Sequence, residues 1–426
     1  MKNKPAWFHL LFQRKMLLIL MLGFASGLPL GLSGTTLQAW YTMADVDIVT
    51  IGFLSLVGQP YVYKFVWAPL LDKWRLPFLG LRRGWIIATQ CGLSAILCWM
   101  GFSDPANAPG QLAFLALCLA FLSATQDIAY DAYRTEMLTE KERGLGIAMT
   151  TYGYRIAMLV STSLTLIIAH YTGFSFAYFL MAALMLIGVI ATLLGKEPEH
   201  HRLPEMPFVK ACMEPFKEFL SRKNAIILLF FIVLYKLGDA FAGSLTTSFL
   251  LKGVGFTLQD VGVVNKLGGI LASLCGVFVG GLLLNKLGMF KALLWFGICQ
   301  AVTNLLFYGL TFTGPHYGML VLTVCGENFA GGLGTAAFMG FVMSLCNLQH
   351  TATQFALFSA IAAIGRVFTG PSAGILVNTV GWDEFFLWSV VVALPGLILL
   401  LVLRSTINQY DNTWQEQEAT SAVLAS

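Results

Sequence analysis

The sequence predicts an all-α integral membrane protein, with twelve transmembrane helices in two pseudosymmetric six-helix bundles. Composition, block spacing and an internal repeat carry that reading. Of 426 residues, 57% are hydrophobic and 11% are charged, with mean hydropathy +0.74. A soluble domain carries about 25% charged residues. The apolar residues recur as long blocks with short polar joints, so most of the surface is solvated by lipid.

The N-terminus, MKNKPAWFHLLFQRKMLLILMLGFASGLPLGL, imitates a cleaved leader: basic, then apolar, then small residues. Its apolar part runs from Met16 to about Trp40, too long for a leader and long enough to span, so it reads as a retained first helix. Further blocks follow at about 51–71, 84–102, 111–133, 146–169 and 174–195. After a polar segment come 224–251, 259–285, 289–312, 317–346, 353–377 and 384–403. The blocks are continuous rather than alternating, which excludes a β-barrel, and in lipid a helix satisfies its own backbone.

Basic residues orient the chain. With both termini cytoplasmic, 20 of the 26 Lys and Arg fall on the cytoplasmic side, Lys252 alone lies on the other, and five sit inside helices. That bias is the positive-inside pattern. The eight cysteines follow no CxxC or Cys/His spacing and read as small packing residues, so no metal site is expected.

The polar segment 196–223 divides the blocks six and six, giving an N-terminal bundle over 1–195, a linker, a C-terminal bundle over 224–405 and a polar tail over 406–426. The halves echo each other. At an offset of 211 residues, Gly27, Ser33, Thr35 and Thr36 coincide with Gly238, Ser244, Thr246 and Thr247, and Arg155 and Ser161 with Arg366 and Ser372. Shared register across two helix pairs implies two related bundles. Gly23, Gly27 and Gly31 recur every four residues, a spacing that lets helices approach closely.

A second echo follows the second and eighth blocks, APLLDKWRLPFLGLRRG (68–84) and GLLLNKLGMFK (281–291). Both resemble the major facilitator loop signature G-x-x-x-D-[RK]-x-G-[RK]-[RK], with Ala68 for the glycine, an insertion before Arg82 and Arg83, and Asn285 for the acid of the second copy. Such a loop caps a helix end and pairs charges at a cytoplasmic gate, which nominates Asp72, Lys73, Arg82, Arg83, Asn285 and Lys286. An ordinary basic loop would look similar; twelve helices in echoing halves favour the major facilitator fold, whose bundles rock about a site near the bilayer midplane.

Nine charges lie inside the apolar blocks: Lys64, Arg155, Lys236, Lys266 and Arg366 against Asp127, Asp131, Asp239 and Glu327. Each costs about 2.5–3.5 kcal/mol at a helix centre in lipid, so they must face water or each other. Asp131 and Arg134, at a cytoplasmic helix end, read as a structural pair of the gate with the basic loop. Lys236 and Asp239 could neutralise each other at i,i+3, although an apolar pair would be cheaper there unless the charges act. Arg155 and Arg366 could brace the bundles, but two equivalent guanidinium groups resemble a clamp for carboxylates. The cationic excess suits an anionic substrate. Gln38, Gln126 and Asn328 suit a hydroxylated one, though singly such residues more often bond between helices.

No G-x-x-x-x-G-K-[ST] loop is present and no soluble segment is large enough to hold a nucleotide, so uphill movement would draw on an ion gradient. No enzymatic chemistry, cofactor or nucleic-acid partner is expected. A carboxylate can carry a proton if its surroundings change as a carrier rocks. Asp127, Asp239 and Glu327 are the candidates, and Asp239 is committed to Lys236, which favours Asp127.

At these residues the sequence resembles one family. LGFASGLPLGLSGTTLQAW, TIGFLSLVGQPYVYKFVWAPLLD, ATQDIAYDA, IVLYKLGDAFAGSLTT, VGVVNKLGG, ATQFALFSAIAAIGRVFTGP and LPGLILLLVLR are similar to AmpG-type muropeptide permeases. The resemblance implies import of GlcNAc-1,6-anhydro-MurNAc peptides across the Gram-negative inner membrane, driven by protons, for peptidoglycan recycling and the signal that induces β-lactamase. It implies that Arg155, Lys236, Lys266 and Arg366 meet stem-peptide carboxylates, and Glu327 or Asp239 the ammonium. A related carrier for another bulky anion, such as acetyl-CoA or an oligopeptide, is the alternative. Some family members continue into further apolar segments, whereas this chain ends in a polar tail.

Overall fold

The computed structural model describes residues 13–76, 79–138, 140–198, 217–222, 224–346 and 351–411. Among them every regular element is helical. Ten stretches are long and apolar enough to cross a membrane. One of these, Ala360–Val402, reverses at Gly381, whose φ of 85° is open to glycine and strained for other residues. Splitting it there and counting 48–73 gives twelve membrane segments.

The first six are α1 (Arg14–Met43), α2 (48–73), α3 (Leu81–Phe102), α4 (Pro109–Met137), α5 (140–172) and α6 (Phe174–Leu194). The others are α7 (Ala225–Val254), α8 (258–287), α9 (Met289–Thr313), α10 (Tyr317–Leu345), α11 (351–380) and α12 (382–402).

Chain contacts define two compact units. The first draws on Met1–Asp47, Leu56–Pro204 and Thr257–Val263, the second on Ile48–Ser55, Glu205–Phe256 and Val264–Ser426. Thus the start of α2 packs with the second unit and the start of α8 with the first.

Within the first unit α1 lies along α5. A Cβ on Gly23 or Gly27 would sit 2.8 Å from the carbonyl oxygen of Thr150 or Tyr154, so the glycine ladder is a backbone-to-backbone seam. Thr36 Oγ1 donates to Ser161 O at 2.6 Å and continues that seam. Leu18, Leu22, Leu71, Ile86, Tyr130 and Tyr133 form an apolar core beside it. In the second unit, Leu228, Phe231, Leu293, Phe338, Phe341 and Phe358 form the larger core.

Several helices are interrupted. α1 breaks at Gly34 (φ −108°, ψ −106°), and α7 breaks at Leu245 (φ −120°, ψ 9°), the position 211 residues later. α7 breaks again at Lys236, whose φ and ψ are −95° and −3°. α2 alternates short α and 3₁₀ pieces, with Pro60 and Pro69 each opening a new α turn. Wide π turns occur at Val160–Leu164, Phe249–Val254 and Val261–Gly268. Irregular backbone at membrane depth is tolerated where protein or a wet cavity covers it, and it accompanies ligand sites in carriers.

Candidate functional site

In the first unit the chemistry gathers around Asp127 on α4. Ser26 Oγ, from α1, donates to Asp127 Oδ1 at 2.6 Å. Lys64, on a 3₁₀ turn of α2, and Asp131, one turn further along α4, lie within electrostatic reach of that carboxylate. Trp67 Nε1 donates to Thr125 Oγ1 at 3.1 Å and fixes α2 against α4. Gln126 is only 1% exposed and both atoms of its amide lack a hydrogen-bond partner. Gln38, expected among the ligand residues, is likewise buried in α1.

In the second unit four charges meet. Lys236 sits at the break in α7, and its Nζ reaches Asp239 Oδ2 at 3.5 Å, Thr335 Oγ1 at 3.4 Å and the Phe338 ring centroid at 6.0 Å. Lys266, inside the π turn of α8, donates to Thr247 Oγ1 at 3.0 Å. On α10, Asn328 Nδ2 donates to Glu327 Oε2 at 2.7 Å. Glu327 lies within electrostatic reach of Asp239, Lys236 and Lys266. Each ion is therefore held by a long contact or a neutral group instead of a tight counter-ion, an arrangement that leaves room to exchange partners.

Arg155 on α5 and Arg366 on α11 are exposed, and among the described residues neither makes an ion pair or hydrogen bond. Both lie far from any helix end. Such groups stay charged at membrane depth only beside water, lipid headgroups or a ligand.

The gate residues separate into pairs that sequence spacing did not reveal. Arg82 clamps Glu136 on α4 through Nε at 3.0 Å and Nη2 at 2.7 Å. Glu197, just past α6, accepts from the backbone N–H groups of Arg82 at 2.8 Å and Arg83 at 3.1 Å, capping α3. The Arg83 guanidinium donates to Thr192 O at 2.9 Å and Leu193 O at 3.1 Å, the free carbonyls ending α6. Arg134 pairs with Asp131 on its own helix at 3.2 Å. Arg82 thus takes its acid from α4 at Glu136. In the second unit Asp411 caps α9 by accepting from Met289 N at 3.0 Å. Lys286 is exposed, and the side chains of Asp72, Lys73 and Asn285 lie outside those described.

Sequence reasoning missed Ser26, Thr247 and Thr335 as partners of the charges and Glu136 and Glu197 as gate acids. A carboxylate just beyond a helix C-terminus, as in KEPEH, was the available signal for Glu197. Among the described residues no group of three or more His, Cys, Asp or Glu could hold a metal.

The family model of the Major Facilitator Superfamily matches residues 16–366. The chain is 49% identical over 396 residues to the anhydromuropeptide permease of Escherichia coli K12, covering 93% of this chain and 81% of that one. The chain belongs to the major facilitator superfamily, in its anhydromuropeptide permease family. A Haemophilus influenzae protein is 38% identical over 92% of this chain and 94% of its own length. Among solved structures, a bacterial homologue of the human lysosomal transporter Spinster superposes with a TM-score of 0.70 at 14% identity, covering 96% of this chain and 99% of that one. That likeness establishes the fold. As a member of this superfamily the chain is a multi-pass membrane transporter and not an enzyme.

Proposed function

We propose that this transporter carries anhydromuropeptides into the cytoplasm by proton symport, supplying peptidoglycan recycling and, through it, the signal for β-lactamase induction. The membrane is the Gram-negative inner membrane, with both termini cytoplasmic, as the distribution of Lys and Arg favours. The single observation behind the reading is the second unit's cluster, in a chain 49% identical to an anhydromuropeptide permease. Two cations and two carboxylates share one neighbourhood with neutral or distant partners.

A stem peptide presents several carboxylates and one diaminopimelate ammonium, about −1 to −2 net near neutral pH. Lys236 and Lys266 are placed to take carboxylates, with Arg155 and Arg366 as further cationic contacts. Glu327 or Asp239 takes the ammonium, while Gln38, Lys64 and Asn328 serve the hydroxyl-rich remainder. Asp127 carries the proton, because Ser26 holds it by one hydroxyl and no counter-ion among the described residues is bonded to it.

Uptake of labelled GlcNAc-anhydro-MurNAc-tripeptide into proteoliposomes tests this. A pH gradient, acidic outside, should drive accumulation, and deletion of the gene should leave anhydromuropeptides outside the cytoplasm. Unchanged levels after deletion, with transport of acetyl-CoA or an oligopeptide instead, would overturn the substrate assignment.

A further inference from the structure

Four buried polar atoms beside Asp127 take no part in the contacts described so far. Both amide atoms of Gln126 are buried without a hydrogen-bond partner, and the buried Tyr61 hydroxyl and Ser123 Oγ meet each other only in loose geometry. Leaving one such group unpaired costs about 1–3 kcal/mol, and in lipid nothing outside the protein relieves it. These atoms are not scattered. Ser123, Gln126 and Asp127 stand at i, i+3 and i+4 of α4 and share one face. Tyr61 comes from the irregular middle of α2; its hydroxyl lies beside Ser123 and Ser33 and within electrostatic reach of Asp127. Ser26 reaches the same carboxylate from α1. Lys64, Tyr130, Asp131 and Tyr154 are the other titratable groups facing the cluster.

We propose that Tyr61, Ser123 and Gln126 form an internal water site that hands protons to Asp127. The set supplies two hydroxyls, an amide donor and an amide acceptor, which matches a buried water bonded to two to four polar groups. Ser123 and Gln126 are each 1% exposed, so a sugar ring cannot reach them without parting the helices. Ser33 extends the set along α1, seven residues or about 10 Å past Ser26, toward the end that the proposed orientation places outside. The transfer balances simply: an O–H bond of a protonated water breaks as one forms on the Asp127 carboxylate, leaving neutral water.

This inference rests on Asp127 as the proton carrier, and the experiment separates the two. In proteoliposomes Tyr61→Phe and Ser123→Ala should each slow proton-driven uptake about tenfold, leave substrate counterflow near wild type, and Ser123→Thr should restore the rate. Difference infrared spectra of the wild-type protein on acidification, in H₂O against H₂¹⁸O, should show an isotope-shifted O–H stretch that Tyr61→Phe removes. An ¹⁸O-insensitive wild-type spectrum would overturn the water site. So would unchanged uptake in both variants, or equal losses of uptake and counterflow. Accumulation surviving Asp127→Asn would instead remove the carrier reading itself.

Discussion

The first unit sets one carboxylate among hydroxyls and an amide, with Lys64 and Asp131 within electrostatic reach, whereas the second gathers Lys236, Lys266, Asp239 and Glu327 into one neighbourhood. The contrast suits the roles proposed for the two sets. A carboxylate that changes protonation cannot be locked to a permanent cation, so its environment is built from groups that tolerate either state. For the ligand recognition proposed here, cations and carboxylates in equal number balance one another, the least costly way to hold such groups in a low dielectric. Helix capping, by contrast, is alike in both units: Glu197 caps α3, and Asp411 caps α9.

Three experiments would break or sharpen that contrast. The largest effect is expected from Asp127→Asn set beside Glu327→Gln. The first should abolish concentrative uptake, by about a hundredfold, and spare counterflow. The second should weaken tripeptide transport in both modes alike. If both variants lose accumulation and keep counterflow, proton and ligand functions are not divided between the units.

A smaller, more selective effect is expected at the exposed arginines inside α5 and α11. Arg155→Ala or Arg366→Ala should raise KM for a peptide-bearing ligand about tenfold, the worth of one charge-assisted bond, while the bare disaccharide is little affected. Equal losses for both ligands would make the arginines braces for the bundles and leave ligand charge entirely to the second unit's quartet.

The smallest effect belongs to the caps. Glu197→Gln and Asp411→Asn should each lower stability by about 0.5–1 kcal/mol, read as Tm in detergent, because a neutral amide still accepts from the helix N-terminus but loses its charge. A large loss from only one would show that the resemblance of the two caps is geometric and not energetic.

Much of the fold was legible in advance because membrane insertion is decided locally. Each apolar block must span and bond its own backbone, so block length predicted the segments that the structure divides into helices. The 211-residue echo also anticipated where helices break, since Gly34 and Leu245 sit at that spacing. Pairings between helix ends were not legible. Asp131 looked like the acid for the basic loop because it stands near Arg134, but Arg82 reaches Glu136 from another helix. Gln126 reads as an available polar residue in the sequence, yet packing buries it against α4's neighbours with its amide unbonded.

Sequence alone determined the medium, the number of spans and the presence of ions inside them, because hydrophobic transfer and charge are properties of single residues and their near neighbours. Only the tertiary structure decided which ion faces a hydroxyl, which faces an opposite charge and which faces none. That outcome depends on helix rotation and on breaks such as the one at Lys236, where the backbone departs from helical torsions by tens of degrees and Nζ lies 3.5 Å from Asp239.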